Sequence, residues 1–109
     1  MIFMLKVLVV EPGKQPYVKR IDGSLNSMQA VVGGFIQAIY PWQDEVALVC
    51  NDEGKLNGLP LNRFLLDDDG DLMDVIAGPF FLCLAPLDSD SFEDLPDDMI
   101  DKYRRMFWL

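Results

Sequence analysis

The chain contains no histidine. Imidazole is the side chain most used for proton transfer near neutral pH and a frequent ligand for zinc, copper and iron, so its absence excludes His-based catalytic triads, HExxH sites and haem ligation by His. The sequence also lacks a P-loop and a GxGxxG phosphate cradle. Carboxylates remain for acid–base chemistry, but the densest run, DDDGD at 67–71, is typical of a solvated turn. We therefore expect no catalytic residue, cofactor or metal, and predict that the protein is not an enzyme.

Basic side chains are scarce: nine Lys and Arg stand against 18 Asp and Glu, and the net charge is -9. The charge is uneven, because residues 44–109 hold sixteen carboxylates and five basic groups, a balance of -11. Binding to DNA or RNA requires cations that displace counterions from phosphates, so we expect no direct nucleic-acid binding. The negative field instead favours a partner with a basic surface.

The chain has two cysteines, Cys50 and Cys83, which lie in apolar runs without metal-site or redox spacing. We interpret them as small buried hydrophobes in a reducing cytosol. The apolar opening, residues 1–10, is interrupted by Lys6 and has neither a basic start nor the length to cross a bilayer. It predicts a strand and no targeting signal, and we expect a location in the cytoplasm of a bacterial host, away from the membrane.

The length of 109 residues and the hydrophobic content of 50% fit one domain, residues 1–109. Residues 4–10 and 17–21 predict a hairpin whose first strand is central, and residues 35–40 and 46–50 predict two more strands. A further strand over 72–84 is bent or broken at Gly78-Pro79. Helical spacing marks 25–32 after a Ser24 cap, and a final helix with Pro96 in its first turn. The pattern predicts an α+β fold: a small mixed or mainly antiparallel sheet of about five strands, with two or three short helices packed on it.

The segment 56–66 is harder to place, because Pro60 disfavours a helix or a central strand through Leu59. Leu61, Phe64 and Leu65 fit one face of a short helix that begins near Pro60.

Several side chains are candidate contacts for a ligand or a partner: Lys14, Tyr40, Trp42, Asn62 and Arg63. Trp42 either folds over the sheet edge or offers a stacking surface. Arg63, a lone basic group amid carboxylates, either forms a structural ion pair or meets an anion. The terminal Phe107-Trp108 pair docks on the core or on a partner.

A candidate acidic surface comprises Asp67, Asp68, Asp69, Asp71 and Asp74. The run resembles part of an EF-hand loop, but its first and twelfth positions would be Leu65 and Ile76 in place of carboxylates. We reject the EF-hand and expect an Asp-Gly hairpin turn.

Four strings, LKVLVVEPGKQPYVKRID, VGGFIQAIYPW, VALVCNDEGKLNGLPLNR and DLMDVIAGPFFLC, resemble a bacterial and phage family known as domain of unknown function 3846. The resemblance covers residues 5–84 and leaves the acidic loop and C-terminal helix, 85–109, outside. It implies a small α/β protein of phages and mobile elements, and it implies no reaction.

The leading hypothesis is therefore a non-catalytic binding protein of phage or mobile-element origin, a counter-defence inhibitor whose acidic surface engages a basic host protein. One alternative is a sponge for a small or cyclic nucleotide signal, which would use the five candidate contacts and, for a deep pocket, a homodimer. A structural or regulatory accessory role is the third.

Overall fold

The computed structural model describes residues 4–109, so the first three residues of the predicted opening strand lie outside the described residues. The elements follow the order β1 (Met4–Val10), β2 (Tyr17–Asp22), α1 (Leu25–Val32), β3 (Ile36–Ile39), β4 (Val46–Asn51), β5 (Leu61–Leu66), β6 (Leu72–Ala77), β7 (Phe80–Leu84) and α2 (Asp97–Met106). Five strands form one antiparallel sheet in the order β2-β1-β7-β4-β3, and β5 and β6 form a separate hairpin. The predicted α+β class and the five-stranded sheet are confirmed.

Local sequence signals explain both helices. The Ser24 hydroxyl accepts a hydrogen bond from the backbone N–H of Ser27 at 3.2 Å and so caps α1. In α2, Asp97 lies in the first turn and Arg105 in the last, and both charges complement the helix dipole. The sequence predicts Pro96 in the first turn of this helix. In the structure Pro96 is instead the N-cap residue, and α2 begins at Asp97.

The large sheet buries both of its faces. On one face, Leu8, Leu48 and Leu82 pack with Tyr103 and Phe107 from the C-terminal region, together with the inner side of the hairpin. The opposite face packs against α1, and its buried members include Leu5, Val7, Val9, Val32, Val49 and Phe81. Because β1 lies between β2 and β7 and is covered on both faces, its continuous apolar sequence is explained.

The two cysteines lie in different core clusters, Cys50 on the α2 side of the sheet and Cys83 on the α1 side. Both are free and buried, which confirms their interpretation as small core hydrophobes.

The predicted helix near Pro60 is wrong: residues 61–66 form strand β5. A helix would place Leu61, Phe64 and Leu65 on one face, whereas the strand places Phe64 and Leu65 on opposite faces, with Leu65 buried and Phe64 exposed. The choice depends on β6, which supplies ladder hydrogen bonds that a two-turn helix would lack.

The predicted break at Gly78-Pro79 is confirmed, since β6 ends at Ala77 and β7 begins at Phe80 in the other sheet. Gly78 has φ of 81°, and a Cβ there would lie 2.6 Å from a methyl carbon of Leu59, so glycine suits both the turn and the close approach. No helix within residues 4–109 combines the length and the apolar character needed to cross a membrane.

Candidate functional site

The hairpin formed by β5 and β6 presents five large exposed apolar side chains on two paired strands: Leu61, Phe64, Leu66, Leu72 and Met73. Its inner side is anchored in the core by Leu65 and Ile76, which are almost fully buried. Register shifts between Leu61 and Arg63, and between Leu65 and Leu66, interrupt the ladder. Because Leu65 and Ile76 lie in the core, one side of the hairpin packs on the large sheet and the other side faces solvent.

The outer side of the hairpin is apolar. Phe64 pairs across the ladder with Val75, and Leu66 pairs with Leu72, so these four side chains share one face, which we call the hairpin face. Phe64 is 68% exposed and Leu72 is 60% exposed. Leu61 and Met73, exposed in the same strands, lie beside it. Contiguous exposed apolar side chains with a polar border are typical of a protein-binding surface.

The turn that connects the strands borders the hairpin face with carboxylates. The Asp67 carboxylate accepts the backbone N–H groups of Asp69 and Asp71 at 2.9 Å each, and Gly70 has φ of 84°. The Asp68 carboxylate accepts the N–H of Gln43 at 2.8 Å. The predicted Asp-Gly turn is thus present, and within residues 4–109 the carboxylates of Asp69 and Asp71 have no hydrogen-bond or ion-pair partner.

The fifth predicted acidic residue, Asp74, lies in β6 and not in the turn. Its carboxylate forms an ion pair with Lys55 and accepts the N–H of Val75. The hydrogen bond from the Lys55 ammonium lowers the pKa of the Asp74 carboxyl. The structure therefore brings four of the five predicted carboxylates into one turn and neutralises the fifth.

Across the described part of the chain, no three His, Cys, Asp or Glu side chains are grouped so that they could hold a metal ion. In the acidic turn, Asp67 and Asp68 accept backbone N–H groups, whereas Asp69 and Asp71 are exposed to solvent.

Trp42 holds the tip of the hairpin to the C-terminal helix. The side chain is 7% exposed, its indole N–H donates to the Leu66 carbonyl at 3.0 Å, and its ring lies 4.6 Å from the Tyr103 ring. The Tyr103 hydroxyl in turn donates to the Asp44 carboxylate, which also accepts from Lys102. Of the two alternatives for Trp42, the structure shows a buried side chain and no exposed stacking surface.

Arg63 is a buried clamp for three chain segments. It is 8% exposed, and its guanidinium donates to the carbonyls of Phe107 at 2.9 Å and Lys14 at 2.6 Å, and to the Asn62 side-chain oxygen at 2.8 Å. Burial lowers the pKa of the guanidinium. Among residues 4–109 it has no ion pair with a carboxylate, so the alternative of a structural ion pair is wrong, and the partners that the structure shows are neutral oxygens.

Asn62 extends this clamp. Its side-chain amide donates to the carbonyls of Val10 and Gly78, each at 2.9 Å. Asn62 and Arg63 therefore join β5 to the ends of β1 and β6 and to the C-terminus, and the LNR string is explained by backbone satisfaction.

The side chains of the two remaining candidate contacts, Lys14 and Tyr40, take no part in the clamp. Lys14 contributes its carbonyl to Arg63, while its exposed ammonium lies 3.9 Å from the Glu11 carboxylate. Tyr40 is 61% exposed and lines a shallow depression of about 250 Å³ with the loop at 85–92. The five predicted ligand contacts thus occupy several settings and do not form one pocket.

At the C-terminus, Phe107 docks on the core with 3% exposure, whereas Trp108 is exposed. The hairpin face was not predicted, although two short apolar runs on either side of a Gly-containing turn, LNRFLL and LMDVIA, are a usable signal for a hairpin.

Comparison with known proteins gives one finding. The model of a family described as Domain of unknown function (DUF3846) matches residues 5–108, a range that includes α2 and the loop before it. Neither the curated proteins nor the solved structures contain a match. Since the family model covers almost the whole chain, this protein belongs to the family of domain of unknown function 3846.

Proposed function

We propose that the protein is a non-catalytic binding protein whose hairpin face and acidic turn engage a protein partner with a basic, partly apolar surface. The supporting observation is that exposed Phe64 and Leu72 lie in the two strands joined by the acidic turn, whose Asp69 and Asp71 carboxylates have no partner among residues 4–109. An aromatic centre with a charged border is the composition found at protein interfaces, where the centre supplies affinity and the charges supply orientation and association rate.

The finer form of the proposal is a counter-defence inhibitor of phage or mobile-element origin that acts in the cytoplasm of a bacterial host. It is supported by the resemblance of the sequence strings to a family of mobile elements and by the -11 balance of residues 44–109. A basic host surface that normally holds nucleic acid fits such a field. Blocking that surface requires shape and charge and no reaction.

Affinity capture tests the proposal with matched variants. The wild type, Phe64→Ser and Leu87→Ser are immobilised and incubated with a bacterial lysate. Leu87 is 90% exposed in another loop and serves as the control. We expect one partner to be recovered with the wild type and with Leu87→Ser, and its recovery to fall about tenfold or more with Phe64→Ser.

Electrostatics give the second arm of this experiment. Raising the salt from about 50 mM to about 500 mM should weaken capture, because the Debye length falls to a few ångströms. Asp69→Asn combined with Asp71→Asn should reduce this salt dependence, whereas Asp88→Asn in the remote loop should leave it unchanged. Equal recovery with Phe64→Ser and Leu87→Ser would rule out the hairpin face as the contact surface.

The nucleotide sponge remains an alternative, but no observation in the structure favours it. The Arg63 donors are already bonded to carbonyl and amide oxygens, and Trp42 is buried. Thermal shift against cyclic and linear nucleotides tests it, since a tight ligand in excess raises stability by several kcal/mol.

A further inference from the structure

Strand β3 forms one edge of the large sheet and pairs only with β4 in the described part of the chain. The Asp52 N–H donates to the Phe35 carbonyl at 2.8 Å, which makes Phe35 and Asp52 a hydrogen-bonded pair of the antiparallel ladder. Hydrogen-bonded and non-hydrogen-bonded pairs alternate, so Gln37 and Ile39 bond to β4. The backbone N–H and C=O groups of Ile36 and Ala38 therefore point away from β4, toward solvent.

The two edges of the sheet differ in charge. The other edge strand, β2, carries Lys19, Arg20 and Asp22, and charged side chains on an edge discourage pairing with another chain. The stretch 33–43, which contains β3, has no charged side chain. The short length of β3 and the following Pro41 limit it as a pairing edge.

Exposed aromatic side chains flank β3 at both ends. Phe35 precedes the strand and is 72% exposed, and Tyr40 follows it and is 61% exposed. Together they present about 250 Å² of accessible area, because an aromatic side chain contributes about 200 Å² when fully exposed. These side chains give the edge apolar area beyond its own four residues.

We propose that β3 pairs with β3 of a second copy of the chain, antiparallel about a twofold axis at Gln37, so that the two large sheets become one. In this register Ile36 forms a hydrogen-bonded pair with Ala38 of the second copy, and the outward backbone groups of both copies are satisfied. Phe35 lies opposite Ile39 of the second copy, on the same face of the joined sheet.

A second copy fits this edge better than a charged peptide does. Because β3 is uncharged, it offers no ion-pair partner to a basic peptide segment. Pairing of β3 with an identical β3 brings no like charges together at the contact. Phe35 and Tyr40 of the two copies together contribute about 500 Å² of buried area. The smallest specific interfaces bury about 1,200 Å², so the paired strands must supply most of the remainder. We therefore expect a weak dimer with a Kd in the range of about 10–100 μM.

Salt separates this self-association from the proposed function. Each copy carries a net charge of -9, so the copies repel at long range and added salt strengthens the dimer. Binding of a basic partner at the hairpin face has the opposite salt dependence, so either proposal can fail alone.

Sedimentation velocity from about 1 μM to about 200 μM tests the dimer. Gln37 is exposed and lies opposite its own copy at the axis, so the charge variants Gln37→Lys and Gln37→Glu each place like charges face to face. We expect the wild type to dimerise, each variant alone to weaken the dimer about tenfold or more, and an equimolar mixture of the two variants to restore it. In about 150 mM salt, which screens the long-range repulsion between the copies, Lys19→Glu on β2 is the control and should leave the dimer unchanged.

Three results would overturn the proposal. A wild type that stays monomeric at every concentration excludes the dimer, and so does a mixture of the two Gln37 variants that associates no better than each alone. A dimer that survives the Gln37 changes but disappears with Phe64→Ser would place self-association on the hairpin face. Circular dichroism of each variant confirms that a lost dimer is not a lost fold.

Discussion

Replacement of Arg63 by methionine keeps much of its apolar stem and removes the guanidinium. The change leaves the carbonyls of Phe107 and Lys14 and the Asn62 side-chain oxygen without their donor. These acceptors belong to the C-terminal segment, to the turn between β1 and β2, and to β5. The substitution therefore releases three segments from one another at once.

The size of the effect follows from the number of bonds lost. A hydrogen bond to a charged group contributes about 1.5–3 kcal/mol to stability. Part of the loss is offset, because the methionine variant no longer buries the charged guanidinium. Water reaches some of the freed carbonyls. We expect Arg63→Met to lower the free energy of unfolding by about 3 kcal/mol, a large share of the about 5–15 kcal/mol typical of a domain. For a chain of this length the Tm falls by about 10–20 °C.

Urea unfolding followed by tryptophan fluorescence and circular dichroism measures the change. Arg20, an exposed residue of β2, provides the matched control: Arg20→Met should stay within about 0.5 kcal/mol of the wild type. Arg63→Lys keeps a cation but loses the planar fork, so it should lie between the wild type and Arg63→Met. A loss below about 0.5 kcal/mol for Arg63→Met would refute the clamp.

Two further predictions concern ionisable groups. Hydrogen bonds from Lys102 and Tyr103 lower the pKa of Asp44, so the stabilisation by this carboxylate is complete above its unfolded value of about 4 and is lost as the pH falls through the folded value. The stability difference between wild type and Asp44→Asn, measured by urea unfolding, should therefore be present at about pH 7 and shrink below about pH 4; a constant difference would contradict this. Burial raises the pKa of Cys50 to about 11 and that of Cys83 to about 12. A disulfide reagent at about pH 8 should therefore label neither thiol in the native protein and both in guanidinium, as counted by mass spectrometry, and rapid native labelling would show that the thiols are accessible.

The sequence predicted an element correctly where its turn or cap residues and its pattern of buried apolar residues favour the same structure. The β1–β2 hairpin, the Ser24 cap and the amphipathic C-terminal helix each combine a periodic apolar pattern with turn or cap chemistry. The segment after Pro60 failed, because a short apolar run fits both periods and the decision belongs to a partner strand that begins at Leu72.

The candidate site was predicted only in part, because some of its features depend on local sequence and others on distant segments. The acidic turn follows from its own residues, since Asp67 and Gly70 are sufficient to form it. The exposure of Phe64 does not follow from its neighbours, because the sequence alone predicts that a phenylalanine followed by two leucines is buried. The burial of Arg63 could not be predicted from the sequence either, since its acceptors come from positions 14, 62 and 107.

The sequence by itself determined the α+β class, the absence of imidazole chemistry, the acidic second half and the turn at 67–71, because composition and short-range periodicity are sufficient for each. Only the tertiary structure decided that the hairpin leaves the main sheet, that Arg63 and Trp42 face inward, and that β3 ends the sheet without charge. These features depend on contacts between distant segments. A residue's neighbours across the fold, and not along the chain, determine whether an apolar or charged side chain is buried or exposed.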